Sequence, residues 1–294
     1  MKAKILVACH KECSLPKEDY YLPIHAGSAV SQVKLNMQRD DEGDNISAKN
    51  GSYCELTALY WAWKNLKGID IVGLCHYRRF FDFHKGTRHP VVTFPVADFD
   101  NVDKRIPQKI FERVEKGEII LADASRCNFT MGVMFRLYHN PRDYEKLSKV
   151  IKETQPKAIQ EAFEFVMECN SWLHFYNMFI MRKRDFDEMC EWLFDVLGKF
   201  EAETDVSNYD SYQRRLYGFA AERLMNVWII AKRHKFSSVP IMYFVDAPAK
   251  TIGLFEYKLR GIMHRLAMFL LSPNYYLRLS PGLAGAFYRK FLCR

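Results

Sequence analysis

The feature that most constrains this chain is a short apolar run that ends in fixed positive charge. Residues 69–75 read Ile-Asp-Ile-Val-Gly-Leu-Cys, and His76, Tyr77, Arg78 and Arg79 follow at once. A β-branched apolar run of this length predicts a buried strand over residues 69–74. In an open α/β sheet, ligands bind just beyond the carboxyl ends of the strands. A strand ending in His-Tyr-Arg-Arg brings cations and an aromatic ring to that edge, where the natural guest is a phosphate or pyrophosphate. The structural alternative is a pair of surface ion pairs beside a turn.

Other segments fall into place around this strand. Residues 5–9 predict a first strand running into His10-Lys11, and they are too short for the apolar region of a secretion signal. Further strands are expected over residues 118–122, 172–181 and 239–245. Helices are expected over residues 53–66, 108–116, 142–154, 156–168, 184–201 and from about 209 to 232. Ser52 and Glu55 have capping-box spacing at the first of these, which gives Glu55 a structural reading. Residues 82–106 and 126–140 read as irregular, the latter as an acceptor-pocket loop. His25, Gly27 and Ser28 form either a tight turn or a set of ligand donors.

Composition narrows the classes. The chain has 294 residues, 49% of them hydrophobic, which excludes global disorder and fits one large or two small domains. A net charge of +8 points to anionic partners. None of the eight cysteines forms a C-x-x-C pair, so a zinc site or disulfide framework is not expected and a reducing cytoplasm fits. Asp40, Asp41, Glu42 and Asp44 are clustered, but not at EF-hand spacing, and read as a solvated loop. Residues 256–294 contain Glu256 as their only acid against Lys258, Arg260, Arg265, Arg278, Arg289, Lys290 and Arg294, with bulky apolar residues between. This pattern predicts helices that lie on a membrane surface; the alternative is a basic hairpin docked on the domain.

Several polar residues are not explained by packing. Asn45, Lys49 and Asn50 sit in the polar loop before the first helix. Asn177 is the polar member of an apolar segment and must find a hydrogen bond. Asp123 closes the strand over residues 118–122. Glu222 lies beside Arg223 among small and apolar residues, either as a general base or as half of a structural ion pair.

Taken together, the motifs resemble a bacterial family. They are Asp44-Asn45-Ile46-Ser47 with Lys49-Asn50; Tyr53-Cys54-Glu55-Leu56-Thr57-Ala58-Leu59-Tyr60-Trp61; Gly73-Leu74-Cys75-His76-Tyr77-Arg78-Arg79-Phe80; Phe175-Tyr176-Asn177-Met178-Phe179; and Gly218-Phe219-Ala220-Ala221-Glu222-Arg223-Leu224. The family is catalogued as a domain of unknown function, found in capsular-polysaccharide, exopolysaccharide and O-antigen gene clusters, and treated as glycosyltransferases. Some members resemble galactofuranosyltransferases, which suggests UDP-galactofuranose as one donor. The resemblance covers about residues 3–245.

It implies an α/β, GT-A-like nucleotide-sugar-binding domain over residues 1–250, with a mixed, mostly parallel central sheet flanked by helices. Residues 251–294 would be a helical, basic, membrane-associating tail. GT-A folds commonly hold a metal on an Asp-x-Asp pair after a central strand, where this chain has His76-Tyr77-Arg78-Arg79. Asp98-Phe99-Asp100 and Asp185-Phe186-Asp187 have the spacing but not the setting. The expectation is therefore no required cofactor, with arginines neutralising the diphosphate; the alternative is a divalent metal. The donor-side residues would be His10, Lys49, Asn50, His76, Arg78 and Arg79, with Asn45 and Asn177. The base would be Glu222, then Asp123. The resulting reading is an inverting hexosyltransferase, cytoplasmic and peripheral at the inner membrane face, acting on a polyprenyl-linked glycan. A nucleic-acid-binding protein is an alternative suggested by the charge, although no nucleic-acid motif is present. A non-catalytic membrane adaptor is another.

Overall fold

The computed structural model describes residues 1–84, 90–127 and 129–246; the basic tail expected over residues 251–294 lies outside the described residues. The chain opens with β1 (Ala3–Cys9), β2 (Tyr21–His25) and β3 (Gln38–Arg39), then α1 (Asn50–Tyr53) and α2 (Leu56–Asn65). Next come β4 (Ile71–His76), β5 (Arg79–Phe81), β6 (Val91–Pro95), α3 (Gln108–Glu115), β7 (Ile119–Ala122) and β8 (Ser125–Arg126). Three helices follow, α4 (Met131–Tyr138), α5 (Pro141–Thr154) and α6 (Lys157–Glu164), leading to β9 (Trp172–Leu173) and β10 (Phe179–Arg182). Last are α7 (Lys183–Glu203), α8 (Leu216–Ala231), β11 (Phe236–Val239) and β12 (Ile241–Val245).

The central sheet has ten strands, ordered β11-β7-β10-β4-β1-β2-β3, with β5, β12 and β6 branching from β4. β1 runs parallel to β2 and β4, β2 to β3, β7 to β11, and β6 to β12. β10 runs antiparallel between β4 and β7. This is a mixed, mostly parallel sheet flanked by helices. β1 and β4 are covered on both faces, which is why they read as continuous apolar runs rather than alternating ones. Leu6, Leu74 and Phe179 pack towards α2, α7 and α8; Ile5, Cys75 and Ile180 pack towards α3.

The helices follow their sequence signals. Phe186, Met189, Leu193, Val196, Leu197 and Phe200 are buried at helical spacing along α7. α5 begins with Pro141 in its first turn, and the Asn140 side chain accepts the Arg142 N–H at 3.1 Å.

Several expectations fail for tertiary reasons. The helix expected over residues 53–66 is broken, because Cys54 adopts φ +52° between α1 and α2. Asn50 Nδ2 holds the kink by donating to the Cys54 carbonyl at 2.8 Å and to Thr57 Oγ1 at 3.1 Å. Ser52 Oγ donates to the Lys49 carbonyl instead, so the expected capping box with Glu55 does not form. The segment over residues 172–181 is two strands, parted by Tyr176 at φ +73° and Asn177 at φ +52°. Residues 126–140 contain α4, capped by Thr130, and residues 82–106 contain β6, which pairs with β12. The helix over residues 156–168 ends as a π-helical turn, Phe165–Cys169. The strand over residues 239–245 divides at Pro240, which has no N–H for the ladder.

Asp40 is fully buried and accepts from the Gly27 N–H at 2.7 Å and from the Ser28 N–H and hydroxyl at 3.0 and 2.9 Å. The turn near Gly27 is thus pinned by the acidic loop, and the Gly27 and Ser28 donors are used within the protein, whereas His25 Nε2 has no hydrogen-bond partner among the described residues.

Candidate functional site

The carboxyl ends of β1, β2 and β4 open into a cavity of about 720 Å³. Ala8, Cys9 and His10 reach it from β1, Ala26 from the end of β2, and His76, Tyr77 and Arg79 from β4 and its hairpin. Asn50, Gly51, Cys54 and Glu55 come from the α1–α2 junction. Ser211, Arg214 and Arg215 come from the segment entering α8, Glu222 from α8 itself, and Tyr176 from the bend before β10. The antiparallel course of β10 brings its start to the same edge as the ends of β1 and β4.

Of the residues expected from sequence, His10, Asn50, His76, Arg79 and Glu222 line this cavity. Asn177 stands behind it and donates from Nδ2 to Glu55 Oε1 at 2.8 Å. Four others lie elsewhere. Arg78 turns to Asp246 at 2.8 Å and lies over the Tyr77 ring. Lys49 pairs with Glu201 at 2.7 Å. Asn45 bonds the Asp41 and Gly43 carbonyls within its own loop. The Asp123 N–H donates to the Val239 carbonyl beside β11. Glu55, Tyr176, Arg214 and Arg215 were not expected in the site. The capping-box spacing disguised Glu55. Arg214-Arg215, an adjacent pair just ahead of a helix, repeats the signal of Arg78-Arg79 and could have been read the same way.

Three arginines meet at the cavity without a carboxylate partner among the described residues. Arg79 lies between the rings of Tyr176 and Tyr243, at 4.8 and 4.6 Å, and its buried Nε has no hydrogen-bond partner. Arg214 reaches only the carbonyls of Ser207 and Tyr209, both at 3.3 Å. Arg215 Nε donates only to Cys54 Sγ at 3.3 Å. Glu55 and Glu222 share the cavity and act on Arg215 through their charge, but no carboxylate forms an ion pair with any of the three guanidinium groups among the described residues, so each keeps N–H donors for a bound anion.

Opposite them stand two carboxylates. Glu222 is 16% exposed; its Oε1 accepts the Tyr176 N–H at 3.0 Å, and its Oε2 accepts from Arg223 at 3.0 Å. Burial raises its pKa above the ordinary carboxylate range, and the charge of Glu55 adds to this; Arg223, the Tyr176 N–H and Arg215 pull the other way. Burial lowers the pKa of His10, helped by Lys11 and Arg78, and also lowers that of His76. His76 Nε2 donates to the Tyr176 carbonyl at 2.7 Å. Tyr176 thus touches Glu222, His76 and Arg79 at once.

Among the described residues, no group of three or more His, Cys, Asp or Glu side chains is placed to hold a metal ion. Each cavity carboxylate already serves a protein donor, and three fixed positive charges share the space. Asp98 and Asp100 lie in the turn Val96–Asn101, away from the cavity. Asp185 and Asp187 lie in the first turn of α7, paired with Arg182 and Lys183.

The sheet order and this carboxyl-edge cavity define a GT-A-like glycosyltransferase fold. The chain belongs to the family described as Domain of unknown function (DUF4422), which matches it over residues 4–234. It is similar to the bifunctional glycosyltransferase WbbM, solved in its apo form, with 28% identity and a TM-score of 0.71 over 83% of this chain. This chain spans 45% of the length of WbbM. Comparison with curated proteins finds no match.

Proposed function

We propose that this protein is a glycosyltransferase that moves a sugar from a nucleoside diphosphate to a glycan hydroxyl. The observation that carries this reading is that Arg79, Arg214 and Arg215 line one cavity at the carboxyl edge of the sheet, none of them in an ion pair among the described residues. Similarity to WbbM supports it. In this reading the three arginines grip the diphosphate, and His10 and Asn50 line the donor side. Glu222 takes the proton from the acceptor hydroxyl while its oxygen attacks the anomeric carbon. The bond from that carbon to the phosphate oxygen breaks, and the arginines stabilise the charge growing on the departing diphosphate. Attack from the face opposite the leaving group inverts configuration. No cofactor is needed for these steps.

The finer assignments rest on the sequence resemblance. They are a surface-polysaccharide pathway, a UDP-sugar such as UDP-galactofuranose, a polyprenyl-linked acceptor, and attachment at the inner membrane face through the basic tail. No helix among the described residues is long and apolar enough to cross a membrane.

The test is a titration of the protein with UDP, GDP and CMP and their sugars, with hydrolysis followed with and without EDTA. Binding of one nucleotide class and EDTA-resistant turnover are expected. Arg79→Ala should lower kcat/KM about 100-fold, the scale for removing one preorganised charge donor. Absence of binding by every nucleotide would sink the reading.

A further inference from the structure

Glu55 has a role that the proposed chemistry does not yet use. Its Oε1 accepts from Asn177, while Oε2 has no protein partner among the described residues. It lines the cavity together with Glu222, and the two are close enough for the charge of Glu55 to raise the Glu222 pKa. Its placement depends on an unusual backbone. Four non-glycine residues among those described have positive φ: Cys54, Tyr176, Asn177 and Arg233. The first three adjoin Glu55 in sequence or in space. Left-handed backbone at ordinary residues costs about 1–3 kcal/mol each and persists only where the surroundings enforce it. Cys54 breaks the helix so that Glu55 takes the N-cap position at the start of α2, at the cavity. The Tyr176–Asn177 bend brings the amide that holds it.

We propose that Glu55 is the sugar-recognition carboxylate, accepting hydrogen bonds from ring hydroxyls of the transferred sugar, and that Asn177 is its positioning residue. This rests on the glycosyltransferase reading. The chemistry also defines the donor class. A carboxylate with a free oxygen is an acceptor only, so it binds hydroxyls and repels a second carboxylate. The donor sugar is therefore one that presents hydroxyl donors and carries no carboxylate, and uronic acids are rejected. The arginines do not reverse this selection, because the diphosphate occupies them.

Isothermal titration of the full chain separates the two readings. The probes are UDP and GDP, with UDP-galactose, UDP-glucose, UDP-galactofuranose and GDP-mannose against UDP-glucuronate and UDP-galacturonate. The wild type should bind one neutral nucleotide sugar at least about tenfold tighter than the parent nucleotide, the worth of one good hydrogen bond to a charged group. The uronates should bind no tighter than the parent nucleotide. Glu55→Gln should keep the affinity for the nucleotide and lose the tenfold gain. Asn177→Gly tolerates the same φ and removes only the amide, so it should lose most of that gain while the nucleotide still binds. A Glu55→Gln protein that keeps the gain, or a uronate bound as tightly as the neutral sugar, overturns the assignment while leaving the diphosphate site intact. Failure of every nucleotide to bind overturns both.

Discussion

At the scale of single residues, the site is an exercise in withheld partners. Arg79, Arg214 and Arg215 line the cavity with no ion pair among the described residues, whereas Arg182 and Arg113 are paired with Asp185 and Glu118. Glu222 shows the complementary device. Its folded pKa is raised, so its protonated form is the one the fold favours. The stability it contributes is complete below its ordinary value of 4.5 and is lost as pH rises through the folded value. Two consequences follow at this scale. Glu222→Gln should cut transfer by about 10² to 10⁴, the usual weight of a general base, yet melt at a higher temperature than the wild type at pH 7.5. The melting advantage should vanish below pH 4.5, and the acid limb of wild-type kcat/KM should sit above that value. A variant that is both active and less stable at neutral pH would remove Glu222 from the mechanism.

At the scale of elements, close approaches decide what the strands can be. Gly73 sits where β10 crosses nearest to β4. A Cβ there would lie 2.7 Å from Ile5 Cδ1 and 2.8 Å from the Phe179 carbonyl oxygen. The side chain can yield but the carbonyl cannot, so Gly73→Ala should cost about 1–3 kcal/mol, the usual range for overpacking. Denaturant unfolding should show this as a lower midpoint with an unchanged slope. Elements also carry the breaks that serve the cavity. The α1–α2 kink and the β9–β10 bend each sit where a continuous helix or strand was expected. Both interruptions turn side chains towards the carboxyl edge.

At the scale of the whole molecule, a mostly parallel sheet places its carboxyl ends on one side, and the antiparallel β10 adds its amino end there. Segments separated by 100 residues and more in sequence, such as His76 and Tyr176, thereby become neighbours. The charge of the chain has a different distribution. The basic residues beyond 256 are proposed to bind an anionic membrane surface. Cutting the chain after residue 250 should reduce co-sedimentation with phosphatidylglycerol vesicles at least about tenfold and leave nucleotide binding unchanged. High salt should weaken binding of the full chain to the same vesicles, since exposed charges are screened within about 10 Å at 0.1 M salt. Equal sedimentation of the two forms would remove the tail from the membrane proposal.

The strands and long helices were legible because their signals are local. Continuous apolar runs marked β1 and β4, and helical spacing marked α7 and α8. Part of the site was legible too, since His10, His76 and Arg79 stand at strand ends, and strand ends in such sheets face ligands. What local pattern could not supply was direction. Arg78 and Arg79 are adjacent, yet one turns to Asp246 and the other into the cavity, because Arg78 sits in the β4–β5 turn while Arg79 is the first residue of β5. Glu55 reads as the capping-box partner of Ser52 until Cys54 adopts a left-handed turn that Asn50 enforces from four residues away. Sequence alone determined that the strand ends carry His10, His76 and Arg79 to the edge of the sheet. Only the tertiary structure decided which charges share one cavity, because that depends on long-range pairing and on backbone turns stabilised by partners distant in the chain.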